Sequence, residues 1–175
     1  MNERNRRLFF ALWPDPPTRE GFAAVVGQLA GLAGGRPQRP DQLHVTLAFL
    51  GSVPESRLSD VLEAGRQSSG RPFEIVFDAV DHWPRPRVLC LTARRAPDEL
   101  IGLVASLNLA LAARGFATEE RPFRAHLTLA RKVPRRPPET AIEPLLWRAT
   151  ELSLVESITD PAGARYEPLT HWPLG

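Results

Sequence analysis

Residues 44–48 read His-Val-Thr-Leu-Ala, and residues 126–130 read His-Leu-Thr-Leu-Ala. The two copies lie 82 positions apart, about half of the 175-residue chain. Both sit in segments that alternate like strands, QLHVTLAFLG around the first and RPFRAHLTLAR around the second, and each follows a helical stretch. The chain holds only four His and nine Thr. A given His therefore has a Thr two positions on with a probability of roughly 0.05, and two of four doing so comes to roughly 0.015. One H-x-T would carry nothing. Two in matched contexts point to two related lobes, each supplying one central strand.

Outward from the repeat, short strands alternate with amphipathic helices. RRLFFAL (6–12) reads as a first strand closed by Pro14, Pro16 and Pro17. Thr18 is placed to cap a helix with Phe22, Val25, Val26, Leu29 and Leu32 inward, stopped by Gly34-Gly35. A strand over 43–50 ends at Gly51, and Pro54 opens a shorter helix with Leu58, Val61 and Leu62 on one face. Strands follow at 73–77 and 87–93. The longest helix runs from about Pro97 to Arg114, with Leu100, Val104, Leu107 and Leu111 inward and Gly115 as its stop. A strand at 123–131, a Pro-rich loop over 134–138 and two strands near 150–158 and 165–171 complete the chain.

Composition excludes several classes. Hydrophobic residues make up 43% and charged residues 24%, so disorder and coiled coil are ruled out. The length suits one domain over 1–175, with enough chain to bury a sizeable core. The N-terminal apolar run stops at Pro14, too short for a signal peptide or a membrane span. A single cysteine, Cys90 in the apolar stretch VLCLT, gives no disulfide framework and reads as a small buried hydrophobe. A cytoplasmic monomer is the plain expectation. The net charge is only +2, yet Arg121, Arg124, Arg131, Lys132, Arg135 and Arg136 fall within sixteen residues with no acid among them. Such a patch concentrates an anionic substrate.

In a strand, residues i and i+2 share a face. His44 therefore projects with Thr46, and His126 with Thr128, while Val45, Leu47 and Phe49 turn to the other face as anchors. Set side by side, the two strands present two imidazoles and two hydroxyls. Two His around one reacting centre serve as acid and base near neutral pH, and the Thr hydroxyls donate to anionic oxygens between them. No carboxylate at fixed spacing and no nucleophilic Ser or Cys accompanies them, which favours proton transfer around a phosphate over acyl transfer. Arg131 follows the second motif at once, but strict alternation puts it opposite His126, so it reaches the cleft only if the strand ends or bulges there. No metal-ligand spacing joins the four His, so neither metal nor cofactor is expected. His82 and His171 read as loop or strand-end residues. Trp13, Phe10, Tyr166 and Trp172 are candidates for stacking on a base, set against their ordinary reading as core.

These residues resemble the paired H-x-T-x signatures of the 2H phosphoesterases, in particular the bacterial and archaeal RNA 2′,3′-cyclic phosphodiesterases, historically called 2′-5′ RNA ligases. RRLFFAL, QLHVTLAFLG, WPRPRVLCLTA, RPFRAHLTLAR and YEPLTHWPL each look like family counterparts, so the likeness spans nearly the whole chain. Ala125 stands where Pro is common in the family, and Val45 where Leu is frequent. The resemblance implies an α+β, bilobal, duplicated fold: two antiparallel sheets facing a central groove, with helices packed outside. It also implies metal-independent hydrolysis of a 2′,3′-cyclic phosphate at an RNA end to a 2′-phosphate, with reversible 2′-5′ ligation in the same site. Carried over, His44 protonates the departing 3′ oxygen, His126 activates water, and Thr46 and Thr128 hold the non-bridging oxygens. Arg131 and Arg124 bind substrate. The rival expectations are a 2H enzyme acting on small cyclic nucleotides or ADP-ribose 1″,2″-cyclic phosphate, and a non-catalytic binder of RNA ends.

Overall fold

The computed structural model describes residues 3–68, 70–161 and 163–175. Along the chain its elements are β1 (Asn5–Leu12), α1 (Pro16–Ala33), β2 (Arg36–Pro37), β3 (Val45–Pro54) and α2 (Leu58–Gln67). Then come β4 (Phe73–Phe77), β5 (Ala79–Trp83), β6 (Val88–Thr92), α3 (Asp98–Ala112), β7 (His126–Arg131), β8 (Leu145–Ala149), β9 (Glu151–Asp160) and β10 (Gly163–Pro173). Two four-stranded antiparallel sheets result, in the orders β10-β9-β1-β3 and β2-β7-β6-β5, with β4 and β8 forming a separate ribbon.

β1 lies inside the first sheet because its residues are apolar on both faces. Leu8, Phe10 and Leu12 are fully buried on one side, and Phe9 and Ala11 are buried on the other. The helices cross over. α1 leaves the first sheet and packs on β2, β7 and β8, while α3, which follows β6 of the second sheet, packs on α2 and β3. One continuous buried cluster therefore spans both sheets, from Leu8 and Phe10 through Leu91 and Leu127 to Leu154. Each fully buried Leu or Phe in it contributes about 1.5–3 kcal/mol.

Local chemistry explains the element ends, and it revises several expectations. The cap of α1 is Asp15, not Thr18: its carboxylate accepts from Thr18 N at 3.0 Å, with Pro16 and Pro17 in the first turn. Leu32, expected inward, is 56% exposed. Pro54 precedes a 3-10 turn, Glu55–Arg57, before α2 begins, and α2 buries Val61, Ala64 and Gly65 while Leu62 faces outward. β3 does not stop at Gly51; that residue takes φ +68 and stays opposite Leu8, so pairing continues to Pro54. The second motif strand begins at His126 rather than 123, and the short strands β5 and β8 are additions. Gly35 is obligatory where α1 hands over to β2. It sits at φ +90, and a Cβ there would meet the Arg131 carbonyl at 2.6 Å.

Candidate active site

β3 is the edge strand of the first sheet, whereas β7 lies inside the second, between β6 and the two-residue β2, and β3 and β7 pack together across the junction of the sheets. His44 thereby comes close enough to His126 for that ring's charge to act on it.

Each imidazole is fixed in the same way. Nδ1 of His44 donates to the Gln42 carbonyl at 2.7 Å, and Nδ1 of His126 donates to the Arg124 carbonyl at 2.9 Å. A carbonyl only accepts, so Nδ1 carries the proton and Nε2 of the neutral ring is left with its lone pair. His44 Nε2 lies 3.1 Å from Thr46 Oγ1, as the shared strand face requires. Aromatic rings wall the first imidazole. Trp13 stacks on it at 5.2 Å and 10°, Phe9 lies at 5.1 Å, and Tyr166 meets it edge-on at 5.1 Å. Trp83 packs on His126 at 4.5 Å.

Burial among these rings disfavours the charged imidazole and pushes His44 down to about 4 from an ordinary 6.5, against the pull of the Gln42 carbonyl. The positive charge of Arg131 and that of His126 act in the same direction. His126 is also lowered, first by burial, with the Arg124 carbonyl opposing and the charges of Arg124 and Arg131 adding to the fall. In the free protein both rings are therefore neutral at pH 7, in a field that an anion between them would reverse.

Two β-bulges settle where the flanking residues point. On β7, Thr128 pairs with Cys90 and Ala130 with Leu89, so Leu129 is an extra residue. Parity flips there: Leu129 and Ala130 are both fully buried, and Arg131 returns to the face of His126 and Thr128. On β3, Thr46 pairs with Ala11 and Ala48 with Phe10, which makes Leu47 the extra residue. Phe49 consequently pairs with Phe9 on the cleft side and is 53% exposed under the Arg7 guanidinium at 4.8 Å, instead of anchoring in the core.

The remaining candidates divide. Arg124 Nη2 donates to Asp81 at 3.1 Å, Asp81 also accepts from Thr92 Oγ1 at 3.1 Å, and the guanidinium lies 5.7 Å from the Trp83 ring. Arg124 and Arg136 line one pocket of about 1020 Å³ at the start of β5, together with Asp78, Asp81 and Arg94. Cys90 is buried beneath Thr128, its thiol pushed up to about 12 by burial, so it is inert as a nucleophile. His82 lines the same pocket as Arg124, its Nε2 3.3 Å from the Val133 carbonyl, and His171 is exposed, 4.0 Å from Glu151. Trp13 and Tyr166 stand at the site, whereas Phe10 is fully buried and packs with Trp172 at 6.0 Å. The sequence reading missed Phe9, Asp81, Trp83 and the two carbonyl anchors. Residues 79–83 show no period-2 alternation that would have signalled Asp81 or Trp83, and nothing in the residue types announced the anchors. Among the described residues no group of three His, Cys, Asp or Glu is placed to hold a metal ion, and no helix is long and apolar enough to cross a membrane.

Known proteins share this arrangement of strands and sheets. Residues 12–90 match the family described as LigT like Phosphoesterase. The chain is 34% identical over 175 residues to the RNA 2′,3′-cyclic phosphodiesterase of Escherichia coli, covering 97% of each sequence. It belongs to the LigT-like phosphoesterase family. Within that family it is also 36% identical over 138 residues to the RNA 2′,3′-cyclic phosphodiesterase of Archaeoglobus fulgidus, with 77% of each chain covered. The crystal structure of E. coli LigT complexed with 3′-AMP superposes with a TM-score of 0.85 at 33% identity, covering 98% of this chain and 99% of that one. A Thermus thermophilus protein gives a TM-score of 0.82 at 28% identity, covering 96% and 97%. The α+β architecture is thus that of the LigT-like phosphoesterases.

Proposed function

We propose that this chain hydrolyses 2′,3′-cyclic phosphates at RNA ends to 2′-phosphates, without a metal ion, using His44 as acid and His126 as base. The observation that carries the reading is the matched pair of imidazoles, each held through Nδ1 by a backbone carbonyl so that Nε2 of the neutral ring carries no proton, at the starts of two strands that pack together across the sheets. Family membership supplies the substrate class, since the relatives in E. coli and A. fulgidus bear that name.

Nε2 of His126 takes a proton from water as its oxygen attacks phosphorus. The bond from phosphorus to the 3′ oxygen breaks, and Nε2–H of His44 delivers a proton to that oxygen, leaving a 3′-hydroxyl and a 2′-phosphate. Thr46 and Thr128 donate to the non-bridging oxygens, and Arg131 balances the charge that builds on them. His44, at about 4 in the free protein, gains its proton when the phosphate anion enters and opposes the field of Arg131. A 5′-hydroxyl in the place of water gives a 2′-5′ linkage by the same proton transfers. Arg124, paired with Asp81, and Arg136 line the pocket past His126 and contact the adjoining RNA backbone.

An RNA oligonucleotide ending in a 2′,3′-cyclic phosphate, incubated with the protein in EDTA, tests the reading. Complete conversion to a 2′-phosphate end is expected; a 3′-phosphate product, or a rate that needs added zinc or manganese, overturns it.

A further inference from the structure

Residues 38–42 link the second motif to the first. Gln38 N donates to the carbonyl of Leu129, the bulge residue after Thr128, at 2.7 Å. The Gln38 side chain is buried, at 8% exposure, and its Nε2 donates to Gln42 Oε1 at 3.2 Å. Gln42 Nε2 in turn donates to the Ala164 carbonyl on β10, at the far edge of the first sheet. The backbone carbonyl of Gln42 itself is the one that accepts from His44 Nδ1. A buried amide is tolerated only when its bonds are made, and an apolar residue would fill the same space with no such demand. The polarity of Gln38 therefore has a use beyond packing.

We infer that Gln38 and Gln42 are positioning residues, holding the Gln42 carbonyl against His44 Nδ1 and keeping His44 in register with the Thr128–Arg131 bulge across the cleft. As a role in catalysis this rests on the two-histidine reading above. As a statement about His44 it does not. The equivalent anchor of His126, the Arg124 carbonyl, lies outside the relay and provides an internal control.

The test compares wild type, Gln42→Ala and Gln38→Leu by nitrogen-15 NMR of the imidazoles at neutral pH, with turnover of a 2′,3′-cyclic phosphate measured alongside. In the wild type both rings are Nδ1–H tautomers. In Gln42→Ala, His44 becomes a mixture of tautomers while His126 is unchanged, and kcat falls about tenfold with KM within about twofold, as expected for a misplaced reacting group. Gln38→Leu gives the same signature where it folds, and Gln42→Ala decides alone where it does not. A folded Gln42→Ala protein with His44 still wholly Nδ1–H, with unaltered kcat, or with both histidines disturbed alike, overturns the inference. The tautomers are read without substrate, so failure of the hydrolysis reading would show only in turnover by the wild type.

Discussion

Phe49 and Arg131 occupy equivalent positions: each stands five residues after a motif histidine, and a bulge at the leucine between, Leu47 or Leu129, turns each onto the cleft face. One lobe therefore presents an exposed ring and the other a guanidinium. The charge of that guanidinium reaches both His44 and His126.

Replacing Arg131 by Ala removes that charge. Charge that builds on the phosphoryl oxygens loses its counterion, so kcat is expected to fall by about 10²-fold with a smaller change in KM. A variant that raises KM alone would show that Arg131 only binds.

Arg135 and Arg136 are exposed, and Arg136 lines the pocket beyond His126. Their joint replacement by Ala is expected to raise KM for a long RNA several-fold, to flatten its salt dependence, and to leave a cyclic mononucleotide unaffected. Equal effects on both substrates across a salt series would place these residues at the reacting phosphate instead.

The histidines also set the pH response. Turnover of free protein and substrate needs His44 protonated and His126 neutral. With His44 at about 4 and His126 lowered from 6.5, kcat/KM should peak on the acid side of 6.5. The kcat optimum should lie higher, since bound phosphate favours the protonated ring. An optimum of kcat/KM above pH 7 would contradict the free-site electrostatics.

Stability should follow the same group. Above pH 6.5 His44 is neutral whether folded or unfolded and adds nothing. Between 6.5 and about 4 the unfolded chain takes a proton that the folded site resists, so stability falls as the pH falls, by at most about 3 kcal/mol. His44→Gln should lose that part of the slope in denaturant titrations at pH 7, 5.5 and 4. An unchanged slope would mean that the ring charges freely in the fold.

The pairing of each motif His with its Thr was legible in the sequence because alternation ties His to Thr two residues on, whatever the sheet. What lay beyond the bulges was not. Strict alternation sent Phe49 into the core and Arg131 away from the cleft, since an extra residue in one strand is defined by its partner: by Cys90 and Leu89 for one motif, by Phe10 and Ala11 for the other. The anchors escaped for a similar reason. Gln42 and Arg124 act there through backbone carbonyls, and any residue type supplies one. Trp83 was hidden because β5 is half-buried along its whole length and shows no apolar stripe.

The central claim is that two imidazoles share one proton-transfer cycle. Its most direct test is turnover of an RNA 2′,3′-cyclic phosphate by His44→Ala, His126→Ala and the double variant, each with circular dichroism unchanged from wild type. Each single variant should lose at least about 10²-fold in kcat, and the double variant should lose little more than the worse single one, because the two act as a unit. Near-normal turnover by either single variant would contradict the account.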